Sequence, residues 1–553
     1  MNLLRRVEAT RKVVASRSPT SFVQTLPQQQ YHKQETPAEE GNITRQNFWG
    51  SLESFKAHLR SADFVGFDLE LSGVHSVPTF DPSCSDLGSP LHHSYRRIKH
   101  LAEKFTVFQV GFALFHLDPV CNRFLAYPYN FYVFPRNDLH LGLPATSLSC
   151  EASALEFLAS HGFDFNLCIQ DGISYLSKTQ EVEARALLVN ELSPFRLNTC
   201  NCSRTINNTS DIVFAEKLRA NIEKWHNSIC ACSPGLRFPG RELAANFLAL
   251  SKGQIKDFEV PSYGINQCPS FTLQLENHHQ VCLAQMVVEK HFKDLVPAIR
   301  SDCGSGSSHD VKFFFAKSKE HLDFMKHELE QDCEQTSIKK AVGFRYVVDA
   351  IVSSQKPLIG HNCALDLAHI HSKFLSPLPS HVEEFAASLL SNFPSIIDTK
   401  CLMRLEPSLQ AFWAPRVTSL NVIYSRMFKS KNMGSRNWSL TKDTDKQPQR
   451  VQVDIMDGFK RYQDTNTNHL HEAGYDAFMT GCVFAQICQQ LHVNVKDLLS
   501  AAHDTSKFLN LLNMGRGVLD LNTGKPWETD AVKEDPNQTS VSLTEKEPQC
   551  AED

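Results

Sequence analysis

The chain has 553 residues, of which 42% are hydrophobic and 21% charged, with a formal net charge of −5 and a pI of about 6.6. This length exceeds what one hydrophobic core usually fills, and the composition is that of a globular protein with two or more domains. The charge excludes a polycation, so nucleic acid must be bound by a local basic surface, and the lack of an apolar run of about 18 residues predicts no membrane partner.

The first 45 residues are interpreted as a targeting segment followed by a linker. The stretch MNLLRRVEATRKVVASRSPTSFVQT carries five basic residues and one acid, with leucine and valine at helical spacing. A basic, amphipathic segment that is poor in acids is typical of a mitochondrial transit peptide. A basic tail without targeting function is the alternative, and it would leave the nucleus and cytoplasm as the location. Residues 18–44 are polar and rich in Gln, Glu and Pro, as in a linker.

The next segment contains two acids inside an apolar strand. The stretch NFWGSLESFKAHLRSAD has apolar residues at helical spacing and leads into FVGFDLELSGVHS, which contains Asp68 and Glu70. Side chains alternate along a strand, so both carboxylates lie on one face, about 7 Å apart, where they can jointly hold a divalent cation. Burial of an unpaired carboxylate is unfavourable, which favours such a role. An acid-x-acid pair on a strand can also be incidental.

Two aromatic and β-branched stretches come next, FTVFQVGFALFHLD and RFLAYPYNFYVFP. They predict neighbouring strands of the same sheet. The stretch EASALEFLASHG predicts a short helix that ends at Gly162, a residue type that favours helix termination. We assign residues 46–185 to the first part of a sheet-based core.

Residues 186–320 are rich in loops and are predicted to form an inserted small α/β domain. Helical stretches such as DIVFAEKLRANIEKWHNS lie between the loops. The segment contains two Cys-x-Cys pairs, at Cys200 and Cys202 and at Cys230 and Cys232. Their spacing matches no standard zinc site, so we favour free thiols in a reducing compartment and keep a zinc site as the alternative.

The second part of the core is assigned to residues 321–500 and begins with a third acid. In PLIGHNCALDLAHIHSKF a short strand precedes a helix that has Asp366 in its first turn. An acid there can simply favour the helix dipole, or it can belong to one site with the strand acids. His361, His369 and His371 could be ligands, although structural imidazoles are the simpler interpretation of the last two.

The last long helix begins in HLHEAGYDAFMTG and carries a fourth acid. Asp476 lies in its first turns, and His471 precedes it by five positions. Ala473, Gly474 and Ala477 are small and would let another backbone or a ligand approach closely. In isolation the segment also fits a surface histidine and a solvated acid.

A basic segment and a tail complete the chain. Residues 426–450 contain seven Lys or Arg, two acids and two aromatic residues. Basic groups attract phosphates and an aromatic ring can stack on a base, so we predict RNA contacts at Lys429, Lys431, Arg436 and Trp438, with a solvated loop as the alternative. Residues 501–553 contain a short apolar patch and an acidic polar end, and are predicted to be a largely disordered tail.

Taken together, the acid-x-acid strand, the acid on a middle helix and the His-x4-Asp helix resemble the histidine subclass of the DEDD exonuclease superfamily. The segments FVGFDLELSGV, FLASHGFDFNLCIQDGISYLS, LIGHNCALDLAHIHSKF, IIDTKCLM and LHEAGYDAFMTGCVF resemble the poly(A)-specific ribonuclease family in particular. This resemblance implies a ribonuclease-H-like mixed sheet flanked by helices, and an inserted domain that is nucleic-acid-binding-like in its location. It also implies a role in mRNA decay by 3′-to-5′ removal of poly(A) with release of 5′-AMP, and a homodimer.

By residue matching, the resemblance gives metal-binding roles to Asp68, Glu70, Asp366 and Asp476, and the role of general base to His471. The chemistry fits these residue types, because two Mg²⁺ ions can activate water and stabilise the leaving oxygen while a histidine accepts a proton. Two alternatives stay open. The chain could be a catalytically inactive poly(A)- or RNA-binding protein, or an exonuclease that acts on other RNA or DNA 3′ ends.

Overall fold

The computed structural model describes residues 42–75, 89–136, 139, 147–191, 208–230, 270–275, 277–299, 309–316, 319–410, 419–429, 450–463, 469–495 and 507–527. The predicted targeting segment lies almost wholly outside these ranges. The ranges also leave out Cys200, Cys202, Cys232, Lys431, Arg436 and Trp438. Cys230 and Lys429 are described by their backbone alone.

Thirteen strands are described, and they are numbered in chain order. They are β1 Asn42–Ile43, β2 Phe64–Leu71, β3 Val107–Asp118, β4 Arg123–Tyr132, β5 Ser270–Leu275, β6 Leu295–Ile299, β7 His309–Phe315, β8 Leu358–Gly360, β9 Ile396–Asp398, β10 Val453–Ile455, β11 Leu511–Asn513, β12 Val518–Asp520 and β13 Lys525–Pro526.

The α-helices described are α1 Phe48–Ser61, α2 Pro90–Lys104, α3 Ala152–Ser160, α4 Phe165–Asp171, α5 Lys178–Glu191, α6 Thr209–Cys230, α7 His278–His291, α8 Lys319–Val342, α9 Arg345–Ser354, α10 Ala364–Ile370, α11 Val382–Asn392, α12 Thr399–Leu405, α13 Pro407–Gln410, α14 Leu420–Tyr424 and α15 Ala473–Gln490. Two π-helical turns cover His371–Leu375 and Ser425–Lys429, and a 3₁₀ turn covers Lys460–Gln463. Within the described ranges, every helix is too short or too polar to cross a bilayer.

The main architectural feature is a mixed seven-stranded sheet in the order β1-β4-β3-β2-β8-β9, with β10 also paired to β4. Strand β3 is antiparallel to both of its neighbours, β2 and β4, and β8 and β9 extend the sheet in parallel with β2. Seven of the eight residues of β2 are buried because helices cover both faces of the sheet, which explains the continuous apolar run of this strand. The prediction of a ribonuclease-H-like mixed sheet flanked by helices is confirmed.

The helix α15 lies directly on the sheet, and glycines in the strands permit this close approach. A Cβ atom added to Gly111 of β3 would lie 1.8 Å from the backbone oxygen of Ala473. One added to Gly66 of β2 would lie 2.4 Å from the oxygen of Ala477. Neither distance is possible for real atoms, so the helix can only pack here because both strand positions lack a side chain.

A second, smaller sheet has the order β5-β7-β6 and is antiparallel throughout. Phe271 of β5 stacks on Phe313 of β7, and Trp225 of α6 packs against the first of these rings. These residues belong to a hydrophobic cluster separate from that of the central sheet. The boundaries 186–320 of an inserted domain stay a prediction.

The disorder predicted for the acidic end, from Thr529 on, lies outside the described residues and stays a prediction, whereas residues 507–527 of the predicted tail are ordered. Strands β11, β12 and β13 form an antiparallel sheet there. Asn510 accepts a hydrogen bond from the backbone N–H of Ile396, at 2.9 Å, and the N–H of Asn513 donates to Asp398, at 3.1 Å. Strands of two or three residues are too short to give a sequence signal, and their order comes from docking onto β9.

Candidate active site

The strand β2 places the first two acids beneath α15. Asp68 is paired with Gly111 across β2 and β3, and Glu70 is paired with Gln109. Residues opposite each other in a sheet point to the same face, and the missing Cβ of Gly111 would point into α15. The side chains of Asp68 and Glu70 therefore face this helix, as the period of two along the strand predicts.

The third acid is brought to the same end of β2 by the parallel strand β8. Val65 and Gly66 are paired with Leu358 and Ile359. Helix α10 begins four residues beyond the end of β8 and carries Asp366 in its first turn. Because parallel neighbours end at one edge of a sheet, the chain delivers Asp366 to the C-terminal part of β2.

The fourth acid and the histidine come from the start of α15. Asp476 lies in the first turns of this helix and is buried. His471 precedes the helix with a left-handed φ of 64°, and its Nδ1 lies 4.0 Å from Oδ2 of Asp476. Ligand atoms of Glu70, His471 and Asp476 all lie within 4.8 Å of one another. The structure thus joins residues that are about 400 positions apart in the chain.

All four carboxyl groups have raised pKa values, and for Asp68 and Glu70 the neighbouring site acids contribute to the rise. The pKa of Asp68 lies well above its ordinary value because of burial first, and then because of the negative charges of the other three acids. The pKa of Glu70 is raised well above its ordinary value by burial and by the charges of Asp476 and Asp366. Burial raises the pKa values of Asp366 and Asp476 to about 7. Buried acids in mutual repulsion need a cation to be ionised together.

These residues fit a hard divalent cation. Carboxylate oxygens are the donors that such cations prefer. Among the described residues no donor reaches Oδ1 of Asp476, although this atom is buried. An unpaired buried carboxylate oxygen is unfavourable in a protein interior, and a bound cation would satisfy it. Glu70, His471 and Asp476 thus have ligand atoms close enough together to hold a metal ion, and Asp68 and Asp366 interact electrostatically with this group.

His471 is half-buried. Its ring neighbours come from α3 and from the residue that directly follows α3. Its ring centroid lies 4.4 Å from that of His161 and 4.6 Å from that of Phe157, both in edge-on geometry. Burial, and then the charge of His161, lower the pKa of His471. A lowered pKa keeps the imidazole neutral near pH 7, which is the form that accepts a proton.

The three other histidines considered from sequence stand apart from the group of Glu70, His471 and Asp476. His371 is held by the carbonyl of Ser376 and the hydroxyl of Ser388, at 2.9 and 2.7 Å. His369 is fully buried, and burial lowers its pKa to about 3. His361 is 2.9 Å from the hydroxyl of Thr399. Within the described ranges the geometry supports no ligand role for His369 or His371.

Sequence reasoning missed three polar residues that hold the start of α15, namely Gln109, Asn130 and Glu472. Gln109 and Asn130 are 1% and 0% exposed, in the middle of the strands β3 and β4. A signal was present, because a lone amide in an otherwise apolar strand is as anomalous as Asp68 in β2. Their partners, however, are more than 300 residues away and cannot be read from the sequence.

Comparisons with known proteins agree on one family. Residues 43–484 match the model of the CAF1 family ribonuclease. The chain is 34% identical to the poly(A)-specific ribonuclease PARN of Arabidopsis thaliana, over 87% of this chain and 69% of that protein. It is 27% identical to the poly(A)-specific ribonuclease PARN of Homo sapiens, over 81% of this chain and 62% of that protein. It is 26% identical to the pre-piRNA 3′-exonuclease trimmer of Bombyx mori, over 81% of this chain and 70% of that protein.

Proposed function

The chain belongs to the CAF1 family of ribonucleases, and on this premise we propose that it is a metal-dependent 3′-to-5′ exoribonuclease that removes poly(A) from RNA and releases 5′-AMP. The observation that carries the proposal is the convergence of four carboxyl groups and His471 on the strand β2. Its relatives from Arabidopsis thaliana and Homo sapiens are named for the same poly(A)-specific activity.

In this proposal Asp68, Glu70, Asp366 and Asp476 hold two Mg²⁺ ions, which supply Lewis-acid activation of water and stabilisation of the leaving oxygen. The chain's own contribution is to hold the four carboxyl groups in fixed positions on β2, α10 and α15, so that a bound cation meets donors already in place. His471 would accept the proton of the attacking water at a ring nitrogen. Its lowered pKa leaves it unprotonated and able to do so.

A shortening assay with a 5′-labelled RNA that ends in adenosines tests the proposal. We expect stepwise loss of 3′ nucleotides with Mg²⁺, no loss with EDTA, and no loss for Asp68→Ala with Mg²⁺. Tight binding without shortening would overturn the proposal and favour the inactive RNA-binding alternative. Loss of activity usually shows as a replaced acid, whereas all five positions here carry the residue type that the chemistry requires.

The substrate class has a second candidate, exonuclease action on other RNA 3′ ends. The observation in its favour is the similarity to the pre-piRNA 3′-exonuclease trimmer of Bombyx mori, which covers nearly as much of the chain as the other matches. Matched RNAs that end in adenosines or in uridines separate the two. Faster shortening of the A-tailed RNA supports poly(A) specificity, and equal rates would reject it. A DNA oligonucleotide of the same sequence tests the DNA alternative.

Cellular role and assembly are part of the same proposal. A basic N-terminal segment supports mitochondrial localisation, with the nucleus and cytoplasm as the alternative, and the role would then be RNA turnover. Residues 1–40 fused to a fluorescent protein test this, and a fusion that stays outside mitochondria would reject it. We also propose a homodimer, to be measured by analytical ultracentrifugation, and RNA contacts at Lys429, Lys431, Arg436 and Trp438.

A further inference from the structure

The turn that carries His471 is held by a cluster of polar side chains for which the proposed chemistry has no other use. We call it the anchor cluster. It consists of Asn42, Gln109, Asn130, Arg461, Tyr462 and Glu472. The cluster comes from β1, β3, β4, the 3₁₀ turn before the site and the residue just before α15. It therefore joins the central sheet to the turn that carries His471.

His471 needs such a support because of its backbone. Its φ of 64° lies in the left-handed region, which is sparsely populated for residues other than glycine. Such a conformation costs on the order of 1 kcal/mol or more and persists where its surroundings over-determine it. The next residue, Glu472, anchors the turn at both ends. Its N–H donates to the carbonyl of His469 at 3.2 Å, and its own carbonyl accepts from the N–H of Asp476 at 3.0 Å.

The carboxylate of Glu472 receives donors from two directions. Its Oε1 accepts hydrogen bonds from the hydroxyl of Tyr462 at 2.7 Å and from Nδ2 of Asn130 at 3.0 Å. It also forms an ion pair with Arg461. Hydrogen bonds to an ionised acceptor are about twice as strong as those between neutral groups. These contacts therefore fix the position of Glu472, which directly follows His471 in the chain.

The two amides of the cluster bind the first turn of α15. Oδ1 of Asn130 accepts from the N–H of Gly474 at 3.1 Å, and Oε1 of Gln109 accepts from the N–H of Ala473 at 3.3 Å. The first N–H groups of a helix have no partner within the helix, so these bonds satisfy them. The side-chain oxygen of Asn130 thus binds the first turn of α15, and its side-chain nitrogen binds Glu472.

In the central sheet, the two amides lie directly across the strands from the positions of the two acids of β2. Asn130 is paired with Gly111, which is paired with Asp68, and Gln109 is paired with Glu70. The spacing between strands is constant in a sheet. The distance between the acids of β2 and the start of α15 is consequently set by rigid strands rather than by a loop.

We propose that Asn130 and Glu472 are positioning residues, which hold His471 and Asp476 in register with Asp68 and Glu70. This inference rests on the proposed nuclease function, because it assigns these residues a role in that reaction. Neither would touch the reacting atoms, and both would act through the residues they hold. A displacement of about 1 Å at a catalytic group can lower turnover by about 10²-fold.

The variant Asn130→Asp tests the inference with almost no change in shape. Its carboxylate can still accept from the N–H of Gly474, but it cannot donate to Glu472 and places a second negative charge beside it. We expect kcat for an A-tailed RNA to fall on the order of 10²-fold, with KM changed by less than about threefold. Glu472→Gln, which keeps an acceptor oxygen, should retain more of kcat than Glu472→Ala.

A matched control separates positioning from general stability. Asn510 is also a buried asparagine, and its side chain binds Pro394, Ile396 and Asn522 instead of the site. Asn510→Asp should lower the melting temperature while kcat of the folded protein stays unchanged. Asn130→Asp lowering only the melting temperature, with kcat as in the wild type, would overturn the inference.

Hydrogen exchange gives a readout that does not depend on turnover. In Asn130→Ala, the peptide that contains residues 469–480 should exchange at least about tenfold faster than in the wild type, without added metal. In Asn510→Asp this peptide should exchange at the wild-type rate. Unchanged exchange in Asn130→Ala would overturn the inference. If the wild-type protein fails to shorten RNA with Mg²⁺, the proposed function fails separately, and exchange alone decides whether Asn130 holds the turn.

Discussion

At the scale of single residues, the site carboxyl groups are held where their charges are unfavourable. Burial raises the pKa values of Asp366 and Asp476 to about 7. Asp68, which receives the repulsion of all the others, is raised well above its ordinary value. Groups with strongly perturbed pKa values cluster at functional sites, and replacing one of these charges should stabilise the fold. The same residues should therefore oppose stability and support catalysis.

The substitution Asp68→Asn separates these two effects. We expect loss of RNA shortening by at least about 10²-fold, because a charge that holds the metal is gone. In EDTA at neutral pH, we expect the free energy of unfolding to rise by about 1 to 3 kcal/mol, because buried repulsion is relieved. Urea titrations measure this change. Asp118→Asn is the control and should leave the activity intact, because Asp118 is the last residue of β3, where it accepts from the N–H of Val120 in the following turn. A destabilised Asp68→Asn protein would contradict the prediction.

The substitution His471→Gln tests the proton acceptor. Loss of a general base typically lowers turnover by about 10²- to 10⁴-fold, and we expect that range for kcat with little change in Mg²⁺ affinity. Single-turnover shortening measures the rate. His492→Gln is the control, since His492 is exposed just beyond the other end of α15. Wild-type kcat in His471→Gln would show that the proton leaves by another route.

At the scale of elements, small residues decide how close α15 lies to the sheet. Gly66 and Gly111 face the backbone of the helix, where even a methyl group would clash. Ala473 and Ala477 are the helix residues at these contacts. The site acids project from both partners of this contact, so its closeness sets the distance between Asp68 and Asp476.

The substitution Gly111→Ala should push α15 away from β3. We expect a loss of at least about 1 to 3 kcal/mol of stability, as for overpacked cores, and a fall in kcat of the protein that stays folded. Thermal unfolding and the shortening assay measure the two effects. The matched control is Gly50→Ala in α1, where the added methyl group meets no atom within 4 Å. That control should gain roughly 0.5 to 1 kcal/mol, since alanine favours a helix.

At the scale of the whole molecule, the site exists only when distant parts of the chain pack together. Part of it comes from β2, part from α10 beyond β8, and part from α15. Because the acids of the site are buried, the stability of the fold should depend on pH and on metal. Stability of the whole fold should therefore report on the protonation of four side chains.

Without metal, the free energy of unfolding should fall as the pH rises from about 4 to about 7. The folded-state pKa values of Asp366 and Asp476, at about 7, lie above their unfolded values, so the folded state holds protons that the unfolded state has lost. The stability they contribute is complete below the unfolded pKa and is lost as the pH passes the folded pKa. Mg²⁺ favours the ionised carboxylates and should reverse this trend.

Calorimetry across this pH range, with EDTA or with Mg²⁺, measures the effect. Asp68→Asn is the comparison protein and should show a weaker decline in EDTA. Glu151 and Glu181 have lowered pKa values and give the opposite trend, but they titrate alike in both proteins. Identical pH profiles for the two proteins would contradict the assignment of the decline to the site.

The sequence by itself determined the parts of this protein that have a local cause. The alternation along β2 places Asp68 and Glu70 on one face, and the helical period and small residues of α15 make Asp476 accessible to a close neighbour. The order of these acids along the chain carried the resemblance to a nuclease family, because a two-metal hydrolysis would need such carboxylates. Central strands and long helices were predictable for the same reason, since their buried positions show in the sequence as apolar runs or as apolar residues at regular spacing.

Only the tertiary structure decided what depends on partners far apart in the chain. The anchoring of Glu472 by Asn130 and Tyr462 is one example. A lone polar residue in an apolar segment indicates that a hydrogen-bond partner is required, but the sequence does not show which residue that partner is. The sheet at residues 511–526 is another, since strands of two or three residues are ordered by docking onto β9 and have too few side chains to show a period. The raised pKa values of the site acids likewise arise from burial, which exists only in the packed molecule.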